Sequence, residues 1–357
     1  MSKPLTLVCS CRMGPGTLEA KLVPLGRVEK VDRIIVLRKT AGPPIPKVEY
    51  RILPKLCRHP LLNIMITPIL MARIGFRQKA DYFLAYHYKP HFFFAGFASL
   101  LTGIPYILGQ TGQDIQKAAN KKMMGPILIA VLRRAAVLNV PGNKSLSFWK
   151  EKGVKKVQQL HSTVDTDYYH PSDQAKEFDF IYTGRMEDYK GVDLILQAFA
   201  KVQRKHPETK LAIVGYGSRE AALKKLALEL GLASNVVFAG FQSDVRSWLQ
   251  RSRVFVMASY TEGLPCALME AMSCAMICIS SHAGNILDIL RSGETGFGFD
   301  CGKLEALSNH MEFVLSANEG LDAIAKAARA QIVQKHSHAS AVEKWNSLFE
   351  DMEAKRS

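Results

Sequence analysis

Glu262 and Glu270 stand with seven residues between them in the segment Ser259-Tyr-Thr-Glu-Gly-Leu-Pro-Cys-Ala-Leu-Met-Glu-Ala-Met272. Between Glu262 and Asp288, Glu270 is the only Asp, Glu, Lys or Arg, and it falls in an apolar stretch that Pro265 can open as a helix. A carboxylate in such surroundings has to be hydrogen-bonded or it meets a large desolvation penalty. Glu262, in the loop just before that helix, points to the same crevice. Two carboxylates set this way accept the paired hydroxyl protons of diols, such as those of a ribose and of a second sugar. The plainer account is a buried glutamate that caps its own or a neighbouring helix.

A second set is cationic. Thr183-Gly-Arg-Met-Glu-Asp-Tyr-Lys-Gly191 leaves an apolar strand, passes Arg185 and Lys190, and opens a helix near Val192. In a parallel sheet, ligands sit at the strand carboxyl ends, where a helix N-terminus adds oriented N–H groups and positive partial charge. A guanidinium and an ammonium added there make a diphosphate site, although exposed Arg and Lys on a loop are ordinarily just solvated. Val214-Gly-Tyr-Gly217 also follows a strand and precedes a helix, so its backbone can approach a ligand closely. It lacks the third glycine of the dinucleotide fingerprint and reads equally as an ordinary strand-to-helix turn. No Walker loop, zinc-protease helix or G-x-S-x-G elbow is present in the sequence.

Strand-like apolar runs that alternate with helical-period segments must position these groups. The first half reads as strands at Leu5–Ser10, Arg33–Leu37, Tyr82–Tyr86, Tyr106–Leu108, Ala136–Val140 and Val157–His161. The second half reads as strands at Asp179–Thr183, Leu211–Val214, Val236–Ala239, Val254–Ala258 and Met276–Ser280, with helices such as Val192–Arg204 and Arg219–Leu230 between them. This is the pattern of two doubly wound α/β domains with parallel sheets, which 357 residues suit better than one core. Polar and turn-forming residues at Ser162–Lys176 mark the hinge. The domains are then 1–165, with the returning helix region 339–357, and 166–338. In the helical stretch Ala339–Ala354, Val342, Trp345, Leu348, Phe349 and Met352 form an apolar stripe that needs a surface to cover.

Composition narrows the function classes. With 48% hydrophobic and 22% charged residues the chain is globular, neither disordered nor collagenous nor a coiled coil. Seven cysteines without a C-x-x-C pair indicate neither a disulfide framework nor a zinc site, and fit a reducing, cytosolic setting. The run Leu5 to Cys9 is shorter than the ~7–15 residues of a signal-peptide core, so secretion is not expected. The longest stretch without Asp, Glu, Lys or Arg, Pro90 to Gln113, is broken by Gly103 and Pro105 and reads as a buried helix followed by a strand. Residues 1–170 carry a net charge of +17 and residues 171–357 one of −2. One half thus holds all the excess positive charge, as a surface that meets a polyanion would, or as a generally basic soluble surface.

From Asp179 to Phe299, about a third of the chain, the sequence resembles the family-4 retaining glycosyltransferases of the GT-B fold. The motifs that carry the resemblance are Gly184-Arg185 with Lys190-Gly191-Val192-Asp193, then Val214-Gly-x-Gly217, Val237-Phe-Ala-Gly240, Glu262-Gly…Glu270-Ala-Met272 and Gly293-x-x-Gly296, with Val164-Asp165-Thr166-Asp167…Pro171 similar to the hinge motif. The resemblance implies two Rossmann-like domains facing across a cleft, a donor nucleotide-sugar on the second, an acceptor on the first, and a final helix that crosses back. It implies that Arg185 and Lys190 neutralise the donor diphosphate, that Glu270 holds the ribose hydroxyls and that Glu262 holds those of the transferred sugar. Gly184, Gly215, Gly217 and Gly263 shape the donor loops. Backbone N–H groups near Leu264, Pro265, Cys266 and Ala267 support phosphate or sugar, and Phe241 and Gln242 lie beside the base. Retention in this family is attributed to front-face attack within an oxocarbenium-like ion pair, so Glu262 is not cast as a covalent nucleophile, and no metal or other cofactor is implied.

The first half matches less closely. Gly14-Pro-Gly16-Thr17 stands where the family has a glycine-rich loop near the donor phosphates, shortened and altered here. Thr111-Gly-Gln-Asp114 stands where many members have His-Gly-x-Asp, which leaves Asp114, with His87 at a strand end, as acceptor-side candidates; a structural histidine is the plainer reading of His87. Lys and Arg lie among Leu, Ile, Met and Phe near Leu61–Arg77 and Lys117–Arg134, as interfacial helices require. The expected partners are therefore a nucleotide-sugar, a glycan or lipid-linked acceptor and an anionic membrane surface, with the protein bound peripherally at the cytoplasmic face. Nucleic acid is not expected, because no nucleic-acid-binding signature accompanies the charge. The rival readings are a nucleotide-sugar 2-epimerase on the same fold and a nonenzymatic sugar-nucleotide or polyanion-binding protein.

Overall fold

The computed structural model describes residues 3–112, 114–160, 163–317 and 319–354. His161 of an expected strand, Ser162 at the start of the expected hinge, Gln113 of the Thr111–Asp114 motif and the last three residues of region 339–357 lie outside the described residues. The chain divides into two compact units, Met1–Thr163 with His338–Ser357, and Val164–Ser337.

Unit 1 is built on seven strands: Leu5–Ser10 (β1), Val31–Arg38 (β2), Val48–Ile52 (β3), Tyr82–Tyr86 (β4), Tyr106–Gly109 (β5), Val137–Val140 (β6) and Val157–Gln159 (β7). Their order is β3-β2-β1-β4-β5-β6-β7, and every described pairing is parallel. The central strands are fully buried because crossover helices cover both faces, which is why they read as continuous apolar runs. The helix His338–Ala354 completes this unit. Its Trp345, Leu348 and Phe349 are buried in one cluster with Leu18, Leu22 and Tyr82, and the Trp345 and Phe349 rings stack at 5.5 Å between centroids. Lys30 Nζ pairs with Glu353 at 3.0 Å near the end of that helix. The apolar stripe of the last helix thus covers the face of the first sheet that carries the helix Pro15–Arg27.

Unit 2 holds Phe178–Thr183 (β8), Leu211–Val214 (β9), Val236–Gly240 (β10), Ser252–Met257 (β11), Ile277–Ser281 (β12) and Phe297–Phe299 (β13) in the order β10-β9-β8-β11-β12-β13, again parallel throughout the described pairs. The helix Val192–Lys205 packs Val192, Ile195, Leu196, Phe199 and Val202 against β8, β9 and β11. It starts where Gly191 takes a left-handed φ of +62°. A side chain there would put its Cβ 2.3 Å from the Ala258 carbonyl oxygen, so only glycine lets the two loops meet.

Two expectations are corrected. The helix read between Pro90 and Gln113 forms over Phe93–Thr102, but it is buried on one side only, and Phe97, Leu100 and Leu101 face solvent. Strands β3 and β13 went unread: β3 is a half-exposed edge strand whose Glu49 and Arg51 break the apolar run, and β13 has three residues centred on Gly298.

Candidate functional site

The strand order of unit 2 fixes where its ligand site lies. Beyond β8 the chain turns to β9 and β10 on one side, whereas β11 leads to β12 and β13 on the other, so connections leave β8 and β11 in opposite directions. A parallel sheet opens a crevice outside the carboxyl ends of such a strand pair. The loop after β8 carries Gly184, Arg185, Tyr189 and Lys190. The loop after β11 carries Tyr260, Glu262 and Gly263.

The two loops are joined. Tyr260 N–H donates to the Tyr189 carbonyl at 2.8 Å. Lys190 Nζ donates to Glu262 Oε1 at 2.6 Å, with side chains only 17% and 10% exposed. A cation and a carboxylate 72 positions apart in sequence therefore meet at the crevice. Tyr189 organises the cations: the Arg185 guanidinium donates to its hydroxyl and lies 5.7 Å from its ring centroid, and Lys190 Nζ is 5.4 Å from that centroid. Below them the Tyr182 hydroxyl donates to the Arg185 carbonyl at 2.7 Å. Burial pushes the Tyr182 phenol well above its usual pKa, and the nearby Glu262 carboxylate pushes it further, so it stays a donor. Thr183 Oγ1, at the end of β8, and Ser259 Oγ, two residues past β11, are buried without a hydrogen-bond partner among the described residues.

Gly215 has a structural duty. Its φ is +139°, and a Cβ there would lie 1.9 Å from the Gly184 carbonyl oxygen, because the loops after β8 and β9 are packed backbone to backbone. Gly184 N–H donates to Val214 O at 2.9 Å and Met186 N–H to Tyr216 O at 2.8 Å. Gly217 abuts Met186 in the same way. Glu187 fastens this junction by accepting from Ser218 Oγ at 2.6 Å and from Ser218 N–H, which together lower its pKa.

Farther along the same sheet edge, Phe241 follows β10 and is exposed, with its ring 5.8 Å from that of Tyr216 in an edge-to-face pair. Gln242 Nε2 donates to the Ala239 carbonyl at 2.7 Å, which leaves its amide oxygen for other partners. On the β11 side the helix Cys266–Ser273 starts after Pro265, and Asn285 N–H holds the Gly263 carbonyl at 3.1 Å. Cys266 and Ala267 open the first turn of this helix, and Leu264 and Pro265 just before it are buried. Glu270 sits one turn in. Its carboxylate lies beside Tyr169 and Cys274, adding to the burial that raises both of their pKa values, that of Cys274 to about 12. Glu262 and Glu270 therefore have different neighbours: Lys190 and Tyr182 for the first, Tyr169 and Cys274 for the second. Sequence reasoning missed Tyr182, Tyr189 and Tyr216. Only their position two or fewer residues from a glycine or cation of the motifs could have flagged them.

Gly14, Gly16, His87 and Asp114 lie in unit 1, at the carboxyl edge of its sheet. Gly14 precedes the helix Pro15–Arg27, and apart from their own chain surroundings no atom of the described residues lies within 4 Å of a Cβ at Gly14 or Gly16, so packing does not demand glycine at either position. His87 directly follows β4 with a left-handed φ of +70°, and its buried Nδ1 has no hydrogen-bond partner among the described residues. Burial lowers its pKa while the Asp114 carboxylate opposes the shift, which puts the two within electrostatic reach. His91, unremarked in the sequence, shares a 2.8 Å hydrogen bond between Nδ1 and Ser10 Oγ, and burial first, then the positive charge of His87, pushes its pKa down to about 3. A folded-state pKa below the ordinary ~6.5 means that the unfolded chain binds a proton the folded one refuses, so this stability is complete above ~6.5 and is lost as pH falls toward 3. Chemical denaturation of wild type is expected to show stability falling by up to about 1.4 kcal/mol per pH unit in that window, and His91→Gln is expected to flatten the slope.

Among the described residues there is no group of three or more His, Cys, Asp or Glu side chains that could hold a metal ion, and no helix is long and apolar enough to cross a membrane.

Residues 170–331 match the family model described as Glycosyl transferases group 1. Among curated proteins, N-acetyl-alpha-D-glucosaminyl L-malate synthase of Bacillus anthracis is 22% identical over 296 residues, 79% of this chain and 77% of that protein. Vi polysaccharide biosynthesis protein VipC/TviE of Salmonella typhi is 26% identical over 277 residues, 70% of this chain and 45% of that protein. Among solved structures, Anabaena Alr3699/HepE in complex with UDP matches with a TM-score of 0.82 at 18% identity, covering 97% of this chain and 100% of that one. The same protein with UDP-glucose matches at 0.79 and 17%, covering 98% and 99%. At these identities the structural likeness is one of fold, which is of the GT-B class: two Rossmann-like parallel-sheet units.

Proposed function

We propose that the chain is a retaining, family-4 glycosyltransferase that moves a hexose-type sugar from a nucleoside-diphosphate donor bound by unit 2 to a glycan or lipid-linked acceptor bound by unit 1, in polysaccharide or glycoconjugate synthesis. The observation that carries this reading is the Lys190–Glu262 pair at the switch point of unit 2, with Arg185 beside it. The matched family model spans that unit, and the relatives include a protein of polysaccharide biosynthesis.

In this reading the bond from sugar to phosphate breaks and the departing nucleoside diphosphate gains negative charge. Arg185 and Lys190, already oriented by Tyr189, stabilise that charge without reorganising, which is where preorganised cations lower a barrier most. Glu262 accepts hydroxyl protons of the transferred sugar and keeps Lys190 in place until the diphosphate arrives. Glu270 holds the ribose, the N-terminus of the helix Cys266–Ser273 faces the phosphates, and Phe241 with Gln242 receives the base. Within unit 1, His87 with Asp114 contacts the acceptor. The reaction needs no metal ion. The enzyme works at the cytoplasmic face of an anionic membrane, a reading supported by the charge of its first half.

The test is slow donor hydrolysis over a panel of UDP-, GDP- and ADP-sugars, with wild type and Glu270→Ala. Release of nucleoside diphosphate from one donor by wild type, reduced at least about tenfold in the variant, is the expected result. Failure to bind or hydrolyse any donor overturns the reading, and conversion of the donor to a 2-epimer would replace it with epimerisation.

A further inference from the structure

We propose that the acceptor taken by unit 1 carries an oxyanion, a phosphate or a carboxylate, and that Arg12 and Lys39 hold it. Assigning that anion to the acceptor rests on the transferase reading; the anion site itself does not. From β1 the chain runs outward to β2 and β3 and then returns to β4 on the other side of β1, so the strand order of unit 1 reverses between β1 and β4. The crevice outside the carboxyl ends of such a pair is where a parallel sheet takes its ligand. Ser10, the last residue of β1, is level with Leu37 of β2 and Ala85 of β4. Two residues farther along each segment stand Arg12, Lys39 and His87, one basic side chain from each of three neighbouring strand ends. Arg12 is exposed between Cys11 and Met13, which are buried, so its side chain leaves the core at this edge. Lys39 is exposed as well.

These charges are close enough to act on one another. Arg12 and Lys39 both oppose a proton on His91, and Arg12 opposes one on His87, whereas the carboxylate that favours it is Asp114. Two permanent cations thus face one carboxylate around a pair of imidazoles that burial already keeps neutral. Neither Arg12 nor Lys39 forms an ion pair with a carboxylate among the described residues. Arg38 differs: its guanidinium donates to the Met13 carbonyl at 2.9 Å and so ties the segment after β1 to the end of β2. The scaffold is fixed, and the two outer cations stay unpaired upon it. His87 holds a φ of +70° with a ψ of +127°, a backbone conformation unfavourable for a residue with a Cβ, and such strain gathers where a site needs a group placed. Like charges brought together repel until an anion joins them. The hydroxyls of a neutral glycan would leave both cations unmatched, whereas a phosphate or carboxylate gives each a charge-assisted hydrogen bond. The substrate class is therefore a hydroxyl compound that also bears an acidic group.

The site is tested on the full-length protein by following the His87 imidazole in NMR spectra, assigned with His87→Gln, as sodium phosphate is added at constant ionic strength. A saturable shift that sodium chloride does not reproduce is expected. Arg12→Gln/Lys39→Gln is expected to bind phosphate at least about tenfold more weakly while melting at the wild-type temperature. Saturating UDP, GDP or ADP is expected to leave the phosphate shift in place; a nucleoside diphosphate that abolishes it would assign the anion to the donor and overturn the proposal. Release of nucleoside diphosphate from the donor is then compared in the presence of a neutral sugar, its phosphate ester and its uronic acid. A charged form is expected to raise release at least about tenfold more than the neutral one, and which form does so tells phosphate from carboxylate. The double variant is expected to lose that gain. No saturable shift, or a neutral sugar that serves as well as its charged forms, overturns the proposal. A wild type that hydrolyses no donor fails the transferase reading alone, since the phosphate titration needs no donor.

Discussion

Lys190→Ala is expected to lower donor turnover by about 10²–10³-fold, the scale on which a preorganised group that stabilises developing charge acts. The same substitution is expected to lower stability by about 3 kcal/mol, because it strands the Glu262 carboxylate, 10% exposed, without its 2.6 Å partner. Lys190→Ala/Glu262→Gln separates the two effects. Removing the stranded charge should return much of the melting temperature, whereas turnover should stay low because the cation is still missing. If turnover returns with stability, Lys190 is only a structural partner and the diphosphate role fails. Arg185 is the internal comparison: it is exposed and tied to Tyr189 rather than to a carboxylate, so Arg185→Ala should lose turnover with little change in melting.

Gly215→Val is expected to destabilise unit 2 by about 3 kcal/mol or more, since it combines a backbone conformation that favours glycine with a Cβ driven into the Gly184 carbonyl. Calorimetry should show the transition of one unit shifted down and the other unmoved, which a single two-state fit would hide. Gly16→Ala is the contrast. It sits in the first turn of the helix Pro15–Arg27 with nothing near its missing Cβ, so it should keep or raise the melting temperature by the gain in helix propensity, about 0.5–1 kcal/mol. A Gly16→Ala protein that melts normally but binds a donor less well would place Gly16 in the donor loop; unchanged donor binding would remove it.

These glycines show how much of the molecule was legible beforehand. The two Rossmann-like units, and the positions of β1, β4, β8 and β9, follow from short apolar runs rich in β-branched or aromatic residues. Edge strands resist that reading because only one neighbour buries them, as with β3, whose Glu49 and Arg51 reach solvent. In the site, Arg185, Lys190, Glu262 and Glu270 were legible as charged residues in motif surroundings. Their partners were not. That Lys190 meets Glu262 depends on β8 and β11 being neighbours, a fact of strand order and not of local pattern. The two glycines flanking Tyr216 read either as room for a ligand or as an ordinary strand-to-helix turn, and the structure packs both of them against the neighbouring loop. Tyr189, which gathers both cations, carries no motif of its own.

The return of the helix His338–Ala354 to the first sheet has a consequence for how the chain is made. On the ribosome, Leu18, Leu22 and Tyr82 emerge before the second unit, but Trp345 and Phe349, which seal them, emerge only after it. All residues of the intervening unit, Val164–Ser337, are available before that, so the second unit can finish folding while the first still lacks a wall. For that interval the nascent first unit holds an open apolar face that attracts chaperones or neighbouring chains. A stop codon shortly before residue 338 would make the condition permanent, yielding an intact second unit tethered to an aggregation-prone first one.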